Sequence, residues 1–143
     1  MDALVGLAGA LVGGLLVLIG DFVRQRVEWR REGVRRLFDA SMGLAMLYNR
    51  MCGEIIDAKR RGVAAGELPR EYPERNEAVT GFFMKPGSER LARPAGDLIL
   101  AYRRLFDGFD DPDFGWEEAR GVRREAIERF ERAVREVVRQ GRV

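Results

Sequence analysis

From Ala3 to Gly20 the chain reads ALVGLAGALVGGLLVLIG, without a charge or a hydroxyl group. As a helix rising 1.5 Å per residue, this run covers about 27 Å, nearly the thickness of a bilayer's hydrocarbon core. Met1 and the Phe22-Val23 pair extend it, and Asp21 falls where a carboxylate stays hydrated at the interface. The pattern predicts a transmembrane helix over residues 1–23. A secretory signal peptide fits less well. It needs a basic start and a shorter apolar stretch, and cleavage after Gly20 would put Leu18 where a small residue is required. A helix buried in a soluble core, or packed only on copies of itself, is the remaining reading of these residues.

The flanks set an orientation. Arg24, Arg26, Arg30, Arg31, Arg35 and Arg36 follow the run and only Asp2 precedes it, so the positive-inside rule places the N-terminus outside and the rest in the cytoplasm. These arginines, with Trp29, form an expected headgroup collar. Each cation near an anionic surface contributes about 1 kcal/mol, partly offset by Glu28 and Glu32. The plainer reading makes them the solvated face of a helix. Within the run, Gly6, Ala10 and Gly14 recur every four residues and Gly9 and Gly13 form a second pair. Small residues at this spacing let helix backbones approach closely in lipid, which predicts self-association of the span into a homo-oligomer.

The helical pattern continues past Asp21, with no proline or strong turn signal before Arg61-Gly62. Val27, Val34, Tyr48 and Ile55 fall on one heptad series, with Ser41 between, and Leu37, Leu44 and Met51 on its companion. Phe38, Ala45 and Cys52 widen the stripe beyond a two-stranded coiled-coil seam, toward the face of a bundle helix. Residues 24–61 are therefore expected to form an arginine-rich juxtamembrane region running into the first bundle helix.

Residues 62–87 read as a connection containing a short helix. Gly62 to Pro73 carries two glycines and two prolines, long for a bundle loop and expected to be mobile or partner-binding. Glu74 to Met84 suits a short helix ending in the apolar cluster Gly81-Phe82-Phe83-Met84. Phe82, Phe83 and Met84 either plug one end of the bundle or form an exposed docking or membrane-touching loop. Residues 88–143 supply two further helices. Ser88 is the expected N-cap of the first, whose stripe is Leu91, Leu98 and Leu105 with Ala95, Tyr102 and Phe109, and Pro94 either kinks it or marks its true first turn. Asp111 or Asp113 is the expected cap of the last, which reaches about Gln140 and buries Trp116, Ala119, Ile127, Phe130, Val134 and Val137. Glu125-Arg129, Glu128-Arg132 and Glu131-Arg135 are charge pairs in the favourable order on its solvated side. The predicted fold is all-α, an N-terminal transmembrane helix continuous with a three- to four-helix cytoplasmic bundle.

Chemistry is narrowed by what the chain lacks. There is no histidine, which removes histidine-based triads, HExxH zinc sites and Cys2His2 fingers. The lone Cys52 allows no internal disulfide and reads as a packed thiol. Asp107, Asp110, Asp111 and Asp113 do not match a calcium loop, because counting from Asp111 the fifth residue is Gly115 and the twelfth Val122. No phosphate-binding glycine loop occurs. Formal charge is only +2, from 25 basic and 23 acidic residues, so no field marks a nucleic-acid binder. All basic residues but Lys59 and Lys85 are arginine, the mark of a GC-rich bacterial coding sequence. No catalytic residue, metal, cofactor or small-molecule substrate is expected, and an enzyme would need a pocket of converging carboxylates with perturbed pKa values.

A Gly/Ala/Leu/Val N-terminus passing straight into FVRQRVEWRREGVRR and then a short helical domain resembles uncharacterised single-pass, N-terminally anchored small helical membrane proteins of actinobacteria. The likeness covers mainly residues 1–40 and implies architecture, an inner-membrane location and no particular activity. The expected function is a non-enzymatic, membrane-anchored interaction module whose span self-associates and whose bundle binds a protein partner. The competing expectation is a membrane-perturbing effector whose glycine-faced spans assemble into a pore.

Overall fold

The computed structural model describes the backbone of residues 2–69 and 72–141, and the side chains from Val17 onward within those ranges. Four α-helices follow one another: α1 (Asp2–Arg60), α2 (Pro73–Phe83), α3 (Ala92–Asp107) and α4 (Trp116–Gln140), with short 3-10 turns at Ala65–Glu67 and Ser88–Leu91. No strand occurs among the described residues, and the all-α expectation holds. Among those residues no helix is long and apolar enough to cross a membrane. The side chains of the expected span before Val17, including the Gly6, Gly9, Ala10, Gly13 and Gly14 face, lie outside the described residues.

Helix α1 is unbroken over 59 residues, about 88 Å, as the absence of proline and turn signals between Asp21 and Arg61 implies. It ends where Gly62 takes a left-handed conformation, φ 70°, and Val63 N–H reaches back to the Ala58 carbonyl at 3.1 Å. That is the glycine-dependent stop of a Schellman motif.

Only the second half of α1 is in the bundle. Leu37, Leu44, Met51 and Ile55 are fully buried, with Ala45, Tyr48 and Cys52 beside them, against Leu91, Leu98 and Leu105 on the α3 side and Phe130 and Val134 of α4. Ser41 fills the gap in the heptad series. Its hydroxyl donates to the Leu37 carbonyl at 2.7 Å, so a buried polar group is satisfied within its own helix. The apolar stripe enters the core later than its spacing suggests: Val27 is exposed and Val34 only half-buried ahead of Leu37, the first fully buried position, while Phe38 beside Leu37 lies at the outer edge of the stripe.

Three local expectations are corrected. The 62–73 connection is packed where it is described, with Leu68 and Tyr72 buried and the Tyr72 hydroxyl donating to Glu54 Oε2 at 2.7 Å. Ser88 does not cap α3. Gly87, at φ 83°, turns the chain into a 3-10 turn, and Ser88 lies buried with Oγ donating to the Phe83 carbonyl at 3.0 Å. Helix α3 then starts at Ala92, and Pro94 lies in its first turn, where a missing N–H costs nothing. Neither Asp111 nor Asp113 caps α4. Asp111 Oδ1 accepts the Asp113 N–H at 2.9 Å and closes its own turn, while the helix begins after Gly115 with Glu117 and Glu118 in its first turn.

Candidate functional site

Two surfaces stand out, one on α1 before it enters the bundle and one between α1 and α4. Every residue from Val17 to Glu32 is exposed, and these include Leu18, Phe22, Val23 and Trp29, the last with 71% of its surface free. Leu18, Phe22 and Trp29 follow at spacings of four and seven and share one face. All the expected collar residues, Arg24, Arg26, Trp29, Arg30, Arg31, Arg35 and Arg36, are exposed. Arg24 pairs with Glu28 at 3.1 Å, Arg36 pairs with Glu32, and Arg35 lies 4.0 Å from Asp39. Arg26, Arg30 and Arg31 form no ion pair among the described residues, so their charge is uncompensated.

The apolar cluster after α2 divides between the two readings it was given. Phe82 is fully buried, its ring 5.9 Å from that of Phe130 and 5.0 Å from that of Phe83. Phe83 and Met84 face outward, 43% and 77% exposed. Met84, Lys85 and Pro86 also border a shallow groove of about 450 Å³ whose other wall is Trp29, Glu32, Gly33 and Arg36 of α1. The turn after α2 and the outer face of α1 are thereby brought together, although they stand far apart in sequence.

A groove of about 500 Å³ lies between α1 and α4. Asn49, Gly53, Asp57 and Arg60 form the α1 wall at helical spacing, and Gly53 leaves its middle open. Arg120, Arg123, Arg124 and Glu128 line the α4 wall. Arg123 hydrogen-bonds Asn49 Oδ1 and Arg120 pairs with Glu117 at 2.6 Å, yet the Nε–H groups of both arginines are buried without an acceptor. Those two buried donors carry a desolvation cost, while the outer guanidinium nitrogens of the groove arginines are the groups its opening can present to an acceptor.

The remaining reactive groups are occupied structurally. Burial pushes the Cys52 thiol up to about 11 from 9.0, with Arg123 only partly opposing it, so the thiol stays protonated and packed. Glu74 and Glu136 are drawn below the usual carboxylate range. Glu74 is lowered by its backbone N–H and Arg50, and Glu136 by Gln140 and Arg139. Both are exposed acceptors in surface pairs, and neither lines the α1–α4 groove. Burial raises the Tyr72 hydroxyl, and its hydrogen bond to Glu54 adds to the effect.

Lys59, which sequence reasoning passed over, is the most specifically held charge. Its Nζ donates to the Phe109 carbonyl at 2.6 Å and lies 5.2 Å from the Phe109 ring and 5.5 Å from that of Trp116. A signal was present, since a lysine among arginines marks a position where a compact ammonium fits and a planar guanidinium does not.

Compared with protein-family models, curated proteins and solved structures, the chain finds no match.

Proposed function

We propose that this chain is a membrane-anchored interaction module. The head of α1 spans a bacterial inner membrane with its N-terminus outside, spans self-associate through the Gly6, Gly9, Ala10, Gly13 and Gly14 face, and the cytoplasmic bundle binds a protein partner. The observation that carries this reading is the set of uncovered apolar side chains of α1 between Val17 and Trp29, Leu18, Ile19, Phe22 and Val23 among them, continuous with the charge-free run Ala3–Gly20. Apolar side chains on a helix outside any bundle favour a non-aqueous surrounding, and the arginines that follow are placed to meet headgroups. For the partner, the α1–α4 groove sets Arg60, Arg120, Arg123 and Arg124 against Asp57, Glu128 and Glu131, a small excess of cations that favours a segment carrying carboxylates.

The direct test is alkaline carbonate extraction of membranes from cells expressing the full chain, combined with a C-terminal reporter active only in the cytoplasm. The expected result is retention in the pellet with an active reporter. Release into the supernatant overturns the anchor, and a silent reporter in the pellet overturns the orientation.

A further inference from the structure

The apolar stripe of α1 does not end where the expected span ends. Leu18, Phe22 and Trp29 lie on one face, and the next group along that face is the groove formed with Met84 and Lys85. Two kinds of side chain converge there. Trp29 and Met84 are the most exposed large apolar residues on either wall, while Arg36 and Lys85 bring cations, with Glu32 on the same wall leaving a net charge of one positive unit. Lys85 forms no ion pair among the described residues, and Arg36 is held only by Glu32 of its own helix. Together they match the chemistry of an anionic phospholipid, a phosphate beside glycerol and acyl carbons.

We propose that the turn Met84-Lys85-Pro86 and the Trp29–Arg36 face of α1 form a second attachment to the membrane, with an anionic phospholipid phosphate between Lys85 and Arg36. This rests on the reading of the head of α1 as a span. It also demands a tilt. Trp29 lies about 9 Å and Arg36 about 20 Å beyond Val23 along the helix axis. The headgroup layer is only roughly 5–7 Å deep on each side. An upright helix therefore carries the groove beyond the headgroups. At a tilt of about 40°, the upper end of the usual range, Trp29 descends to about 7 Å and the Arg36 backbone to about 15 Å, from which the long Arg36 and Lys85 side chains, on the underside, reach back toward the phosphate layer. The bundle then leans on the leaflet along this face. Trp29 and Met84 act as the apolar footing, and Lys85 reaches the phosphate layer.

The test uses the full chain in lipid nanodiscs, with a polarity-sensitive fluorophore on Met84→Cys. Cys52 is buried and does not compete for the label. Discs containing phosphatidylglycerol are compared with discs of phosphatidylcholine alone, and contact is read from quenching by headgroup-labelled lipid. The expected result is a blue-shifted, quenched probe in phosphatidylglycerol discs only, with the lipid-contacting population falling about fivefold for Lys85→Gln. A probe that stays aqueous in both discs overturns the proposal, as does equal quenching in both. A signal that rises with the number of chains per disc and ignores lipid charge assigns the face to a second copy instead. Failure of the chain to enter discs overturns the anchor itself. That outcome is distinguishable, because an embedded chain with an aqueous probe overturns the second attachment alone.

Discussion

Phe82 and Phe83 are neighbours in sequence with opposite environments, and truncating each in turn separates the core from the outer surface. Phe82→Ala removes a ring with no exposed surface, packed against Phe130 of α4 and Phe83. Truncation of a fully buried phenylalanine costs about 3–5 kcal/mol, the lost transfer free energy plus the cavity left behind. That is a large share of a domain's stability of roughly 5–15 kcal/mol. Phe83→Ala leaves no closed cavity, since 43% of that ring is already free, and loses mainly its edge-on contact with Phe82, worth about 1 kcal/mol. The assay is urea unfolding of the detergent-solubilised chain in a Trp29→Phe background, following Trp116, which lies at the start of α4. The slope of unfolding should stay constant while the midpoint falls severalfold further for Phe82→Ala. Equal costs, or a larger one for Phe83→Ala, would mean that the turn after α2 is packed the other way round. The outward position of Met84 and its lipid contact would fall with it.

Four further outcomes follow from the packing. Gly108→Ala places a methyl 2.2 Å from the Phe114 ring and should cost about 1–3 kcal/mol by displacing that ring from Trp116, seen as a lower Tm and an altered tryptophan spectrum. Lys59→Met removes both the bond to the Phe109 carbonyl and the two ring contacts, so a loss of about 2 kcal/mol is expected, and Lys59→Arg should recover less than half of it in the same denaturation assay. The folded-state pKa of Cys52 is raised, so its contribution is intact below pH 9.0 and is lost as pH climbs toward about 11, by about 3 kcal/mol at about 1.4 kcal/mol per pH unit; Cys52→Ala should flatten that segment of the stability profile. One residue inserted between Arg26 and Val27 turns the bundle by about 100° relative to the span, whereas seven nearly restore the phase, so cross-linking between bundles of assembled chains should vanish with one and return with seven.

The element order was legible because its signals are local. An absence of proline and turn residues predicted one helix from the apolar run to Arg61, and the Leu91, Leu98, Leu105 series predicted the buried face of α3. Register within the bundle was less accessible. Val27 shares the heptad series of Ile55, yet periodicity does not say where along α1 the core begins, and Phe38 beside the buried Leu37 shows that it does not fix the width of the buried stripe either. Caps were misread for a related reason. Ser88, Asp111 and Asp113 are good cap residues, but Gly87 and the Asp111 turn commit each to a local bond before the next helix starts. The groove between α1 and α4 left no trace in sequence, since its arginines read as ordinary solvated charges until Gly53 and the opposing helix turn them into one wall of a cleft. Met84 and Trp29 were each singled out, but nothing in the linear pattern brings them together.

The stretch from Val17 to Glu32 has a mechanical role that follows from its lack of tertiary support. A helix that emerges from a bundle frays unless something else holds it, and here two sources are present. Its ion pairs Arg24–Glu28 and Glu32–Arg36 lie at the i,i+4 spacing, each worth about 0.3–0.5 kcal/mol, which offsets only a small part of the cost of ordering so many residues. Most of the support must come from the ends, the bundle anchoring α1 from Leu37 onward and, on the proposed reading, lipid holding the apolar run. Between two fixed ends, a helix without proline or a paired-glycine break transmits rotation and tilt instead of absorbing them. Gly33 is the single glycine between Asp21 and Leu37, and it lines the same groove as Met84 and Lys85. The contact that would bring the turn to the membrane is therefore also the contact that braces the weakest point of α1. Loss of lipid contact at Lys85 should loosen the coupling between span and bundle as well as the attachment itself.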